Sequence, residues 1–427
     1  MMQVLNSSGI PLGTIAVLML AVFTVSIGYG VVLPLLPFVI ERLLDTGSAG
    51  TQMSTQVSRS TGLLTGIYTL ALFLFAPLWG RLSDYHGRRV ILLVGLAGFG
   101  ATTLVFSLVE SLAELYAERF MSGLFAAAVT PVALAVVADL ATSDNARARR
   151  LTFVSLAGIS GFLIGPMLGV LLAGGASNIR SNPATAGSLT VPLDATAILA
   201  LLTAAAVYFT ISNEKPRAAM AKAGSRDANS DVLLVPRLLA LAFIVSTGVG
   251  VFEVGLALRG KQELGLTQYQ IAAMFTECSL VMLVVQAIVF SPWVKPEATR
   301  WLIAPALAAL AAGLFLVPYA SNFTLMLAVV GAVAASAGVL SPILTYWIAS
   351  KAGPAPGAAL GTQTAVASLG VTVGSAAGGL LFEIDLLPNA SFVLMTAMIV
   401  AGFLLSLSLP KLLVIRKLGQ TVPTTQP

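Results

Sequence analysis

Two long apolar runs, at 61–79 and 90–109, are joined by the stretch Gly80-Arg81-Leu82-Ser83-Asp84-Tyr85-His86-Gly87-Arg88-Arg89-Val90. Each run has about the 20 residues that a helix needs to cross the hydrocarbon core of a bilayer. A positively charged loop at a membrane surface explains the arginines of the stretch. It does not explain the regular spacing of Gly80, Asp84 and Gly87, which indicates a specialised connector between two membrane helices.

The composition of the whole chain points to the same environment. Of its 427 residues, 57% are hydrophobic and only 10% are charged. Soluble domains carry about 25% charged residues, so this chain lacks the polar surface that water requires. The composition therefore predicts that lipid covers most of the protein.

Apolar runs of membrane-spanning length recur along the chain. We expect helices rather than strands, because lipid offers no hydrogen-bond partner to an unpaired backbone and short alternating strands are absent from the sequence. The first run has no Lys or Arg before it and is long, so we interpret it as a retained helix rather than a cleaved signal. The twelve predicted spans are 12–40, 61–79, 90–109, 113–139, 151–174, 192–212, 233–258, 267–291, 299–318, 322–349, 357–382 and 386–413.

The distribution of Lys and Arg predicts the orientation. With a cytoplasmic N-terminus, seventeen of these residues fall in inside connectors and five in outside ones, and Arg119 lies within a span. This asymmetry places both termini in the cytoplasm, following the positive-inside rule. Because the basic residues sit in short connectors and not on one face, we expect no nucleic-acid partner.

The charged connector in the middle of the chain divides the twelve spans into six plus six. Pro131 and Pro342 are 211 positions apart, while three glycines of span 5 and three of span 11 are 209 apart. Duplication explains these offsets, although glycines are also common in membrane helices. We predict an all-α membrane protein with two six-helix bundles at 1–212 and 233–414, a cytoplasmic linker at 213–232 and a disordered cytoplasmic tail at 415–427.

The connector at 80–90 resembles the loop motif of the major facilitator superfamily, G-x-L-x-D-x-x-G-R-[KR]; Tyr85 departs from the basic residue that is frequent there. The resemblance implies the twelve-helix fold and a charge cluster that switches between two conformations, which an acid at the end of span 4 completes. The residues assigned to this switch are Gly80, Asp84, Gly87, Arg88, Arg89 and Asp139.

Two further motifs resemble those of proton-coupled drug exporters in the superfamily, including tetracycline and multidrug exporters. Arg119 and Gly123 match an R-x-x-x-G element of span 4 whose arginine is linked to proton transfer; snorkelling of Arg119 to lipid headgroups is the alternative. Span 5 matches G-x-x-x-G-P-x-x-G, a motif associated with export, with Val170 at the last small position; a static packing seam is the alternative. The residues of this second motif are Gly161, Gly165, Pro166 and Gly169.

Proton coupling requires a carboxyl group within the membrane. Similar exporters have an acid in the first helix, but none precedes Glu41 here. Glu253 and Glu277 are the alternatives, because a buried carboxyl group can take up and release a proton. A structural role for a neutral Glu277, or an ion pair of Glu253 with Arg259 or Lys261, would instead make these acids unrelated to transport.

Candidates for the substrate cavity follow from the same resemblance, since spans 1, 4, 7 and 10 line the pathway in similar proteins. They are Tyr29, Tyr346 and Trp347, together with Gln286, which equally suits a helix–helix hydrogen bond. The single cysteine, Cys278, is interpreted as a core residue, and no metal-binding cluster is present in the sequence.

These patterns predict a secondary transporter of the cell membrane, which acts as a monomer and exports hydrophobic or amphiphilic small molecules in exchange for protons. The proton gradient would supply the energy, with no cofactor. An uptake symporter or facilitator for a sugar or metabolite is the alternative on the same fold. A membrane-embedded enzyme or receptor is disfavoured, because the sequence has no paired acids at useful spacing, nucleophile elbow or phosphate loop.

Overall fold

We describe a computed structural model of the chain. The structure describes residues 12–44, 51–140, 144–179, 187–211, 234–289, 291, 294, 296–351, 356–382 and 389–414. The predicted linker at 213–232 and tail at 415–427 lie outside the described residues, so the domain boundaries stay a prediction.

Twelve long helices account for most of the described chain. In order they are α1 (Leu12–Leu44), α2 (Thr51–His86), α3 (Arg88–Phe106), α4 (Leu112–Leu140), α5 (Asp144–Ile179), α6 (Gly187–Thr210), α7 (Leu234–Gln262), α8 (Gln268–Val289), α9 (Ile303–Leu316), α10 (Phe323–Lys351), α11 (Pro356–Leu380) and α12 (Ala390–Ser406). Short 3-10 turns at Pro296–Trp301 and Val317–Tyr319 flank α9, and a final short helix, α13, covers Leu409–Val414.

Ten of these helices are long and apolar enough to cross a membrane, judged within the described residues. The two others are α12, which is apolar but short, and α11, whose sequence is rich in Gly, Ala, Ser and Thr. An all-helical chain with this many spans confirms the predicted multi-pass membrane fold, because only helices satisfy the backbone within each span.

The boundaries of several helices differ from the predicted spans. Most of the connector at 80–90 is helical, because α2 continues to His86 and α3 begins at Arg88. The break between them is Gly87, whose φ of 97° favours glycine. Gly80 lies inside α2. The last predicted span is interrupted after Ser406, and α13 begins at Leu409.

The two six-helix bundles repeat the same close helix contacts. A Cβ atom added at Gly161 or Gly165 of α5 would lie 2.5 Å or 2.7 Å from the backbone oxygens of Phe23 and Ile27 in α1. In the second bundle, Gly370 and Gly374 of α11 make the same approach to the backbone oxygens of Phe243 and Thr247 in α7. The partners match position by position, which supports duplication of a six-helix unit.

The bundles contact each other along two seams, α2 against α11 and α5 against α8. In the first seam two glycines lie close together: a Cβ atom at Gly62 would lie 2.6 Å from Cα of Gly379 and 2.5 Å from the backbone oxygen of Ser375. Nearby, the hydroxyls of Thr69 and Thr372 form a 3.0 Å hydrogen bond between the bundles. Small residues permit this contact, as in other membrane helix pairs.

The apolar core distinguishes the two ends of the molecule. We call the end that carries residues 80–90 the connector end and the opposite end, where α1 and α7 finish, the far end. Toward the far end, one apolar cluster runs from Leu36 and Ile40 of α1 into Leu256 of α7 and Phe275 of α8. A second cluster contains buried residues of the first bundle alone. The two bundles are therefore packed together at the far end.

Candidate functional site

A charge cluster joins three helices at the connector end. Arg88 pairs with Asp84 through Nη1 at 2.7 Å and with Asp139 through Nε at 3.0 Å. It also donates a hydrogen bond to the Ser83 hydroxyl. Since Asp84 lies in the last turn of α2, Arg88 begins α3 and Asp139 lies in the last turn of α4, the cluster links the ends of these three helices. The arginine of the loop therefore contacts the acid at the end of span 4, and the role of this cluster as a switch stays a prediction.

Arg89 takes a different position. Its guanidinium lies 4.4 Å from the ring centroid of Tyr208, near the end of α6. It therefore anchors the start of α3 against α6, while its neighbour Arg88 carries the ion pairs. A cation above an aromatic face is a favourable contact that needs no carboxylate partner.

Arg119 of α4 is buried in an ion pair. Its Nε and Nη2 donate to the two carboxylate oxygens of Glu118, at 2.6 Å and 3.0 Å. Both side chains are almost fully buried, with 5% and 1% of their surface exposed. The guanidinium also lies 5.0 Å from the ring centroid of Phe106 and 5.8 Å from that of Tyr68. The guanidinium is turned into the protein and paired with Glu118, which favours a buried role over the snorkelling alternative.

Sequence reasoning missed Glu118. Consecutive residues on a helix do not face each other, so a pair at i, i+1 is not expected from spacing. The long side chains nevertheless meet on the buried side of α4. The available signal was the cost of a lone buried arginine, which requires a nearby acid.

An aromatic stack connects this region to the second bundle. The ring of Tyr29 in α1 is stacked on Tyr68 of α2 and Phe162 of α5, with centroid distances of 5.2 Å and 5.8 Å. Its hydroxyl donates a 2.9 Å hydrogen bond to Oε2 of Glu253 in α7. Two predicted site residues, one from each bundle, therefore meet at the interface of the halves.

The alternative pairing of Glu253 with Arg259 or Lys261 does not occur. Arg259 pairs with Glu263 and also donates to the backbone oxygens of Pro318 and Ala320, all within its own bundle. Lys261 pairs with Glu41 of α1. The hydrogen bond from Tyr29 is thus the contact that defines the position of the Glu253 carboxylate.

Glu277 lies in a different environment. A Cβ atom at Gly331 of α10 would lie 3.5 Å from its Oε1, so the carboxyl group packs against a helix of its own bundle. Its Oε2 is buried without a hydrogen-bond partner in the described part of the chain. The neighbouring Cys278 is buried, in keeping with its interpretation as a core residue.

The other cavity candidates are not brought together with Tyr29. Trp347 is buried, and its indole nitrogen donates to the Thr299 hydroxyl at 3.1 Å, within the second bundle. Tyr346 is 40% exposed and makes an edge contact with the Trp347 ring. Gln286 is partly buried on α8. Tyr346 therefore keeps an exposed side, whereas Trp347 is held in place by packing and by its hydrogen bond.

The glycine motif of α5 packs against α1, the helix that carries Tyr29. A Cβ atom at Gly165 would meet Cα of Gly30 at 3.0 Å, and one at Gly30 would meet Cδ of Pro166 at 3.1 Å. Gly169 likewise approaches Val31. The motif therefore sets the distance between α1 and α5 and, with it, the position of the aromatic stack.

The described residues contain no group of three His, Cys, Asp or Glu side chains that could hold an ion. Instead, two helical bundles enclose buried charges, and a hydrogen bond joins the bundles. This combination is typical of a multi-pass membrane transporter. The chain belongs to the Major Facilitator Superfamily, whose family model matches residues 18–355, and it is therefore a transporter rather than an enzyme.

Curated relatives and solved structures agree with this assignment. Multidrug resistance proteins 1 and 2 of Bacillus subtilis are each 26% identical to the chain, over 92% and 87% of its length and 96% and 90% of theirs. The quinolone resistance protein NorA of Staphylococcus aureus is 24% identical over 87% of this chain and 90% of its own.

The fold is similar to that of a bacterial homologue of the human lysosomal transporter Spinster in an inward-facing, occupied conformation. The TM-score is 0.72 at 15% identity, with 94% of this chain and 97% of that one covered. The human organic anion transporter MFSD10 gives a TM-score of 0.67 at 22% identity, over 93% of this chain and 100% of that one. These similarities concern the fold alone.

Proposed function

We propose that the protein exports hydrophobic or amphiphilic, drug-like small molecules in exchange for protons by alternating access. The names of the bacterial relatives, which are resistance proteins, support this substrate class and the direction of transport. The motif of α5, which resembles the export-associated motif of the superfamily, supports the same direction. A small molecule, protons and the lipid bilayer are then its partners, and the proton gradient is its energy source without any cofactor.

The observation that carries the proposal is the hydrogen bond from Tyr29 to Glu253. It joins α1 of one bundle to α7 of the other, so its strength affects how firmly the bundles hold together. An ionised carboxylate accepts a stronger hydrogen bond than a neutral acid. Protonation of Glu253 therefore weakens this link, and loss of the proton restores it.

Proton binding at Glu253 in this way favours one of two arrangements of the bundles. The shift equals at most the difference in proton affinity between the two states. Tyr29 is held in place by its stacking on Tyr68 and Phe162, which gives the hydroxyl a fixed direction. We propose Glu253 as the coupling carboxylate in preference to Glu277, whose described contacts lie in its own bundle.

The Glu118–Arg119 pair contributes fixed charges beside this site. Arg119 is close to the Tyr68 ring, on which Tyr29 is stacked. Because Glu118 neutralises it, the pair has little net charge, and the state of Glu253 decides the charge of the region. Aromatic rings with little net charge beside them suit a substrate with an apolar body.

The cluster of Asp84, Arg88 and Asp139 is assigned the role of a switch at the connector end. All three residues belong to the first bundle, so their ion pairs make the ends of α2, α3 and α4 move as one body. We further propose that this end is cytoplasmic, together with both termini, that the protein resides in the cell membrane, and that it functions as a monomer.

Transport of a fluorescent amphiphile by membrane vesicles tests this function. Everted vesicles that contain the protein should accumulate the dye when their interior is acidified, and Asp84→Asn vesicles with matched protein content should accumulate much less. Proton-driven accumulation by right-side-out vesicles would instead indicate uptake. Equal dye levels with and without the protein would contradict transport of this class.

A further inference from the structure

Two consecutive residues at the end of α7 contact two different helices of the other bundle at the far end. The Lys261 ammonium group pairs with the Glu41 carboxylate and donates a 2.9 Å hydrogen bond to the backbone oxygen of Pro37, both in α1. Gln262 accepts a 3.0 Å hydrogen bond from the Ser58 hydroxyl in α2. The last turn of α7 therefore makes polar contacts with both α1 and α2 of the first bundle.

Lys261 is enclosed by the last turns of α1. Besides the carboxylate and the backbone oxygen, the Phe38 ring lies 4.6 Å from its nitrogen. Its side chain is only 11% exposed, while that of Glu41 is 49% exposed. A cation with three such contacts has a defined geometry, unlike an ordinary surface lysine.

The neighbouring ion pair provides an internal comparison. Arg259 and Glu263 lie at the same end of the same bundle, and the Glu263 side chain is 40% exposed, close to the value for Glu41. Their contacts stay within the second bundle. The two ion pairs have similar exposure, but only the pair of Lys261 and Glu41 crosses between the bundles.

We infer that Lys261 and Glu41 form a latch that closes the far end of the transport pathway, with Ser58 and Gln262 as its second contact. The inference rests on the proposed function, because a closed end has a role only where the two ends open in turn. Breaking the latch favours the state that is open at the far end, because only the closed state contains these contacts. The apolar cluster between α1 and α7 must also separate in the open state.

A cysteine at position 58 reports this opening. Ser58 is 1% exposed beneath the latch, and the native Cys278 is removed by Cys278→Ser so that the reporter is the only thiol. The control reporter is Ser60→Cys, because Ser60 is 4% exposed on the same helix but hydrogen-bonds Tyr116 of its own bundle. The protein is placed in lipid nanodiscs, where a water-soluble maleimide reaches both faces.

Glu41→Gln and Lys261→Met should each increase the labelling rate at position 58 by roughly two- to tenfold, the range expected for a partly exposed ion pair. Glu263→Gln, the matched control, should leave that rate unchanged, and no variant should change labelling at position 60. The charge-reversed double variant Glu41→Lys/Lys261→Glu should return the rate toward that of the parent.

High salt tests the latch without any substitution in its residues. Because Glu41 is half exposed, concentrated sodium chloride should screen the pair and accelerate labelling at position 58 but not at position 60. Equal labelling of position 58 in the parent, Glu41→Gln and Lys261→Met proteins, with no salt effect, would overturn the latch.

Transport by the same variants, reconstituted in proteoliposomes because a nanodisc encloses no compartment, separates the latch from the proposed function. Normal proton-driven transport together with unchanged labelling would remove the latch and leave the proposed function intact. A latch that responds as expected in a protein that moves no solute would contradict the proposed function alone.

Discussion

Glu118 and Arg119 are neighbours in the chain and also partners in a buried ion pair, in which both guanidinium contacts are 3.0 Å or shorter. Removing one member of such a pair leaves an uncompensated charge in an apolar surrounding, at a cost of about 3–5 kcal/mol. Removing both members leaves no charge behind. The pair therefore predicts a strongly non-additive effect on stability.

Glu118→Gln should lower the thermal stability and membrane abundance of the protein, whereas Glu118→Gln/Arg119→Gln should recover much of the loss. Melting of the detergent-solubilised protein measures this difference. If Arg119 also serves transport, the double variant recovers stability without activity. A Glu118→Gln protein as stable as the wild type would show that the ion pair has no structural role.

The charge cluster at the connector end predicts a loss of function with little loss of protein. Asp139→Asn removes the partner that links Arg88 to α4, and transport should fall by roughly five- to tenfold, a typical range for a conformational coupling. Arg89→Gln is the matched control, because Arg89 contacts Tyr208 and not the carboxylates. Dye export divided by membrane abundance is the quantity to compare. Equal losses in transport and abundance for Asp139→Asn would assign the cluster to folding.

The glycine contacts predict that equivalent positions in the two bundles respond alike. Gly165→Leu and Gly374→Leu each place a side chain against a backbone oxygen of the neighbouring helix, so both should reduce stability and transport. Gly80→Ala is the control, since nothing lies within 4 Å of its added Cβ atom and alanine favours the helix by roughly 0.5–1 kcal/mol. Size-exclusion profiles of fluorescent fusions give the folded fraction. Wild-type behaviour of Gly165→Leu would contradict the close-contact interpretation.

The sequence predicts the helix count and the repeat because both depend on local composition. Apolar runs specify the spans. Gly161 and Gly165 recur 209 positions later as Gly370 and Gly374, and this equal offset specifies matching helix contacts in the two bundles. The end of α2 was less predictable, since the polar stretch up to His86 remains helical beyond its apolar run. A hydropathy pattern locates the membrane-spanning part of a helix but not the residue at which the helix ends.

The candidate site was predictable residue by residue but not as an assembly. Glu253 and Tyr29 each stand out as polar groups in apolar spans, yet they are 224 positions apart, and their contact depends on how two bundles meet. The same holds for Lys261 and Glu41, whose pairing across 220 positions also depends on how the two bundles meet. Glu118 was not predicted as the partner of Arg119, because adjacent positions on a helix seldom pair.

Simultaneous measurement of substrate and proton fluxes in proteoliposomes tests the central claim most directly. Addition of substrate to the wild-type protein should drive protons in the opposite direction. Glu253→Gln should abolish this proton movement while it preserves exchange of labelled for unlabelled substrate, and Glu277→Gln should retain the proton movement. Protons that move together with the substrate, or an undiminished proton flux in the Glu253→Gln protein, would contradict proton exchange at the contact between Tyr29 and Glu253.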